Sequence, residues 1–150
     1  MANTFSHCFH HLVFSTKNRE KFIRQDIQAR VWAYMGGIAR RHGMTALQIG
    51  GMEDHAHALV SAPPTIAPSQ IAKSIKGDSS FWIRREFSDL GAFAWQDGYG
   101  VFTVCKSHSD AVIEYIRNQR THHEKRTYED EFVELLKRHE IDYEERYLFG

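Results

Sequence analysis

The stretch FSHCFHHLVFS (Phe5–Ser15) limits the fold more than any other part of the chain. It is rich in aromatic and β-branched residues and holds no glycine or proline. Both of its alternating residue sets are largely apolar or aromatic, so it predicts a strand covered on both faces and therefore central in a sheet. The remaining elements must be built around it. Ile27, Val31, Tyr34, Met35 and Ile38 recur at three- and four-residue spacing and predict a helix over about Arg24 to His42. Arg40-Arg41-His42 and Gly43 suit its C-terminal end. Gly36-Gly37 inside it suggests close packing against another backbone.

Thr45 to Gly50 and His55 to Ser61 read as two short strands joined by a tight link, and Pro63-Pro64 ends the second. Pro68 suits the first turn of a second helix, which runs to about Phe87 with Ile71, Ile75 and Trp82 inward and a kink expected at Gly77-Asp78. Phe93 to Val104 is strand-like, with a bulge or hairpin at Gly98-Tyr99-Gly100. A third helix over Ser109 to His122 carries the stripe Val112, Ile113, Ile116. Thr127 caps a last helix anchored by Phe132, Leu135 and Leu136. The aromatic tail Tyr143 to Phe149 suits docking on the body of the protein. The order β-α-β-β-α-β plus two helices predicts a single α+β domain. Its plan is the ferredoxin-like antiparallel sheet with helices on one face and a C-terminal addition.

Composition bounds the partners. The 150 residues carry 19 basic and 19 acidic side chains, a formal net charge of zero, so any nucleic-acid contact must come from local patches. Met1 to Phe5 lacks a basic region followed by an apolar core, and no window approaches a membrane span, so a cytoplasmic protein without a membrane partner is expected. Cys8 and Cys105 flank apolar runs and are expected as small buried hydrophobes in a reducing compartment. Ten histidines and 13% aromatic residues are high, and they direct attention to metal, phosphate or base contacts.

The sharpest pattern is Asp54-His55-Ala56-His57-Ala58-Leu59-Val60. Strand side chains alternate, so His55 and His57 share one face, an arrangement that suits either a metal ion or a structural pair of imidazoles. Tyr115 and Gln119, four residues apart, share one face of the third helix, where the Gln119 carbonyl oxygen could serve as a third, hard ligand. The plainer alternatives are a half-buried helix tyrosine and a solvated glutamine. His10 and His11 could assist near the site, or serve as a core residue and a surface contact.

In these residues the sequence resembles the HUH-type single-tyrosine transposases of small bacterial insertion sequences, including relatives associated with repetitive extragenic palindromes. The matching stretches are HHLVFSTKNR (10–19), GGMEDHAHALVS (50–61), KSIKGDSS (73–80), WQDGYGVFTV (95–104) and EYIRNQRTHHEKRTYEDEF (114–132). The resemblance implies that His55, His57 and Gln119 hold Mg²⁺ or Mn²⁺ and that Tyr115 is the nucleophile. It further implies single-stranded DNA with hairpin ends as substrate, a 5′-phosphotyrosine intermediate, and a homodimer. Ala56 departs from the bulkier residue usual between the two histidines. It faces away from them, so a change in packing is expected. Lys17, Arg19, Lys73, Lys76, Lys125 and Arg126 are the candidate phosphate contacts, with solvated surface as the alternative. Two other readings fit the same residues: a metal-dependent phosphodiesterase, and a hairpin-DNA-binding protein that does no chemistry.

Overall fold

The computed structural model describes residues 3–150; Met1 and Ala2, part of the stretch read above for a leader, lie outside the described residues. Strands β1 (Cys8–Ser15), β2 (Thr45–Met52), β3 (His55–Ala62) and β4 (Gly100–Val104) form one antiparallel sheet in the order β2-β3-β1-β4. That is the ferredoxin-like order, with β1 interior as its two-sided apolar pattern requires. Helices α1 (Gln25–Arg41) and α2 (Pro68–Glu86) cover one face. Helices α3 (Ser109–Arg117), α4 (Gln119–His122) and α5 (Tyr128–Arg138) cover the other. The expected helical layer is therefore on one face, and the C-terminal addition supplies a second layer. No helix among the described residues is long and apolar enough to cross a membrane.

The two-residue period of the strands divides their side chains between these layers. Leu12 and Phe14 of β1 and Ala56, Ala58 and Val60 of β3 join the α1–α2 core. Phe9, His11, Val13, His57 and Leu59 face the C-terminal helices. Ala56, the departure noted in the sequence, is fully buried in the α1–α2 core, away from the histidines.

Several local expectations are corrected. β4 covers only Gly100–Val104; upstream, Trp95 makes one isolated bridge to Thr16 and otherwise serves as a core anchor, its indole N–H donating to Ser79 Oγ at 2.9 Å. The third helix breaks at Asn118, whose backbone (φ −99°, ψ 26°) leaves helical geometry before Gln119. α2 is one unbroken helix through Gly77-Asp78. A Cβ on Gly36 would meet Ala46 at an ordinary 3.9 Å, so its glycine is not required by contact. Cys105 is exposed, not buried, and Cys8 is only partly covered. The tail docks as expected through Leu148 and Phe149, with the Arg19 guanidinium 4.9 Å from the Phe149 ring centre.

One glycine does position the site. A Cβ on Gly50 in β2 would lie 2.9 Å from the Ile116 carbonyl oxygen, so only glycine lets α3 lie this close to the sheet. Gly50→Ala should therefore destabilise the fold by about 1–3 kcal/mol. The check is a lower urea midpoint at unchanged slope.

Candidate metal and tyrosine centre

The site is built where β3 meets the three C-terminal helices. His55 and His57 are fully buried side by side, with Nε2 of each directed at the helices and Nδ1 of each held from outside. His55 Nδ1 lies 2.7 Å from Asp54 Oδ1, and His57 Nδ1 lies 2.9 Å from His11 Nε2. Partners of this kind fix ring orientation and leave the other nitrogen to act as a ligand. Of the two neighbouring histidines, His11 is the one that stands beside the site. His10 faces elsewhere, with its Nδ1 buried and unpartnered.

Opposite the two rings stands Glu131 of α5, fully buried. Its Oε1 is 2.9 Å from His57 Nε2, 3.5 Å from His55 Nε2 and 3.2 Å from His123 Nε2. Its Oε2 accepts from Gln119 Nε2 at 3.1 Å and from the Tyr115 hydroxyl in a very short hydrogen bond. Gln119 Oε1 lies 2.9 Å from His55 Nε2. The four expected residues, His55, His57, Gln119 and Tyr115, are thus brought together. The break at Asn118 does not separate Tyr115 from Gln119.

Electrostatics tie the cluster together. Burial alone would raise the Glu131 carboxyl, but His57, His123 and His55 around it hold it far below the usual carboxylate range. Burial lowers His57, opposed by Glu131. Burial likewise works against the charged form of His123, but Glu131 prevails and raises it. Burial, then the Glu131 charge, push the Tyr115 phenol well above its ordinary value, so the hydroxyl is protonated at rest. Arg126 Nη2 donates to that same phenolic oxygen at 3.1 Å.

A divalent cation fits this donor set. Ligand atoms of His55, His57 and Glu131 all lie within 4.8 Å of one another, nitrogen and carboxylate oxygen are mixed, and the Gln119 oxygen is adjacent. Sequence reasoning missed Glu131, and with it the place of His123 against that carboxylate. The signal for Glu131 was its place between Tyr128, Phe132 and Leu135 on the buried face of α5, where an ionisable residue needs partners.

The basic candidates separate. Arg126 reaches the tyrosine, while Arg19, Lys125 and Arg126 line a polar cleft that also includes Asp54 and His123. Arg19 is already engaged with the tail, its Nη1 donating to the Phe149 carbonyl at 3.2 Å. Lys17 and Lys73 are exposed, and Lys73 stands on α2, across the sheet from the histidines. Lys76 differs from expectation. Its ammonium donates to the carbonyls of Gln96, Asp97 and Gly98 at 2.8, 3.1 and 2.7 Å, so it holds the loop before β4 and is not free for phosphate. Burial pulls it down to about 8.

Residues 4–119 match the family model described as "Transposase IS200 like". The transposase for insertion sequence element IS200 of Salmonella typhimurium is 27% identical over 124 residues, 79% of this chain and 81% of that protein. The ISDra2 transposase TnpA of Deinococcus radiodurans is 26% identical over 115 residues, 73% and 82% of the two chains. A Deinococcus radiodurans R1 crystal structure assigned as a transposase superposes with TM-score 0.66 at 24% identity, over 79% of this chain and 95% of that one. A REP-associated tyrosine transposase bound to a REP hairpin superposes with TM-score 0.59 at 12% identity, over 82% and 74%. At these identities the two structures speak for the fold alone.

Lys76→Met keeps an unbranched stem but leaves three carbonyls without their donor. It should cost about 1–3 kcal/mol of stability. A shift of the urea midpoint measures this.

Proposed function

The chain belongs to the IS200-like transposase family, and on that premise we propose that it cuts and rejoins single-stranded DNA at hairpin-marked ends, with Tyr115 as nucleophile. The observation that carries this reading is the position of the Tyr115 hydroxyl. It lies against a carboxylate shared with two buried histidines, within reach of a guanidinium.

In this reading the Tyr115 oxygen attacks a backbone phosphorus and the bond to the 3′-oxygen breaks. The 3′-hydroxyl leaves with a proton, and the 5′ end stays on the protein as a phosphotyrosine. A later attack by another 3′-hydroxyl reverses the step and joins new ends. Glu131 Oε2 already accepts the phenolic hydrogen bond and is the nearest acceptor for the proton that must leave. Arg126 sits where negative charge on the reacting phosphate would develop. His11 and Asp54 hold the histidine rings in place. A divalent cation, Mg²⁺ or Mn²⁺, held by His55, His57, Glu131 and Gln119, would supply Lewis-acid stabilisation of phosphate charge. Lys17, Lys73, Lys125 and Arg126 are the proposed backbone contacts, with Arg19 partly committed to the tail. A cytoplasmic homodimer is the proposed working form.

The deciding experiment incubates the protein with Mn²⁺ and labelled single strands from the flanks of its own gene, followed by a denaturing gel. A labelled band at protein mass, absent with Tyr115→Phe and with EDTA, is the expected result. Cut DNA that persists in Tyr115→Phe without an adduct would replace the tyrosine by a hydrolytic mechanism. DNA retained but uncut under every metal would leave a binding protein only.

Metal affinity tests the ligand set independently of cutting. His57→Ala should abolish the calorimetric signal for Mn²⁺. Removing the outer partner, in His11→Ala or Asp54→Asn, should weaken binding by roughly 10- to 100-fold.

A further inference from the structure

One recess is lined by Tyr115 and another by Arg126, whose guanidinium reaches the Tyr115 hydroxyl, and their chemistry differs. The cleft on the Asp54–His123 side is walled mainly by charged side chains of both signs. The recess lined by Tyr115, a cavity of about 410 Å³, opens between β4, α3 and the C-terminal half of α5. Its walls include the rings of His11, Phe102, Tyr115 and His139, with Arg138 and His108 among its polar residues. No aspartate or glutamate lines it. The size lies within the range of about 300–1,000 Å³ usual for small-molecule sites.

We propose that this cavity is a nucleobase subsite, which takes one unpaired base of the strand whose phosphate lies at Tyr115. The inference rests on the reading of the protein as a single-strand transposase, and it names where that strand's neighbouring base goes. Tyr115 lines the cavity and presents its hydroxyl to the metal-ligand cluster, so a nucleotide joined to the reacting phosphate has this recess within its reach. An aromatic, carboxylate-free recess suits a π-face attached to a polyanion. His139 forms the clearest stacking surface. Its ring stacks on Phe102 with centroids 4.4 Å apart, and its Nδ1 lies 2.9 Å from the Leu135 carbonyl. With Nδ1 turned to that carbonyl, Nε2 is the ring nitrogen left for a base edge. Arg138 is held by Glu134 at 2.9 Å, four residues earlier on the same helix, next to that opening.

The test uses fluorescein-labelled dT15, with binding followed by anisotropy. A second dT15 carries a single 5-iododeoxyuridine for photocrosslinking and peptide mapping. His139 is exposed, so its replacement leaves the core intact. His139→Ala should weaken dT15 binding roughly 5- to 100-fold, while His139→Phe, which keeps a stacking face, should stay within about threefold of the parent protein. Crosslinks should fall on peptides that contain Phe102 or His139. The subsite is overturned if the parent protein binds dT15 and His139→Ala binds it equally well, if the crosslinks fall elsewhere, or if His139→Phe is as weak as His139→Ala, which would mark a charge contact. It is also overturned, with the transposase reading intact, if dT15 does not bind but the Tyr115-dependent adduct forms on flanking DNA. Absence of both binding and adduct would remove the underlying reading as well.

Discussion

The buried carboxylate of Glu131 is the interaction on which the C-terminal half of the molecule depends. An ionised carboxylate inside a protein loses its water and persists only when its oxygens are answered by donors. Here Oε1 faces His57, His55 and His123, and Oε2 receives Gln119 and the Tyr115 hydroxyl. Those partners come from β3, from α3 and α4, and from the link to α5. One charge therefore fixes the mutual placement of four segments. Apolar contacts of Tyr128, Phe132, Leu135 and Leu136 with Val13 and Phe102 hold α5 on the sheet, but such contacts are non-directional. The carboxylate supplies the direction that sets which way the helix is turned.

The sheet makes this possible by keeping two kinds of burial apart. On β3 the residues 56, 58 and 60 are small or branched hydrophobes packed under α1 and α2, while His55 and His57 point the other way. A shift of pairing by one residue would drive both imidazoles into the apolar core and expose the alanines to the polar cluster. The stable layer thus selects the register that delivers the ligands. Gly50 extends the same logic to the neighbouring strand, because the absent side chain admits α3 and with it the tyrosine.

Much of this was legible in the residues. The long apolar runs and helical periods placed β1, β3, α1 and α2 close to their observed bounds, and the alternation around Ala56 put the two histidines on one face. Thr127 caps α5 as read, accepting from the Asp130 backbone N–H at 3.2 Å. What the sequence hid depends on partners distant in the chain. Phe93 and Trp95 have strand-like composition, yet they serve as core anchors with a single bridge, so β4 is shorter than its pattern. Lys76 looks like a helix-surface cation until the loop at Gln96–Gly98 folds over it. Glu131 lies in a helix whose start is already rich in acids, where attraction to the helix dipole offers a sufficient local reason for negative charge. Only its place on the apolar stripe distinguished it from Glu129 and Asp130.

The division of the site along the chain has a chemical consequence. The family match ends at residue 119, so it contains the two histidines, the tyrosine and the glutamine but not His123, Arg126 or Glu131. Two imidazoles and an amide oxygen are neutral donors, and such a set leaves the full charge of a divalent ion uncompensated. Adding the Glu131 carboxylate makes the set anionic, which strengthens attraction for any divalent cation. The same carboxylate disfavours ionisation of Tyr115, because it places negative charge against the phenol. Arg126 partly answers that penalty from the other side of the hydroxyl. The segment after residue 119 thus sets the charge around the tyrosine, and the matched segment sets its position.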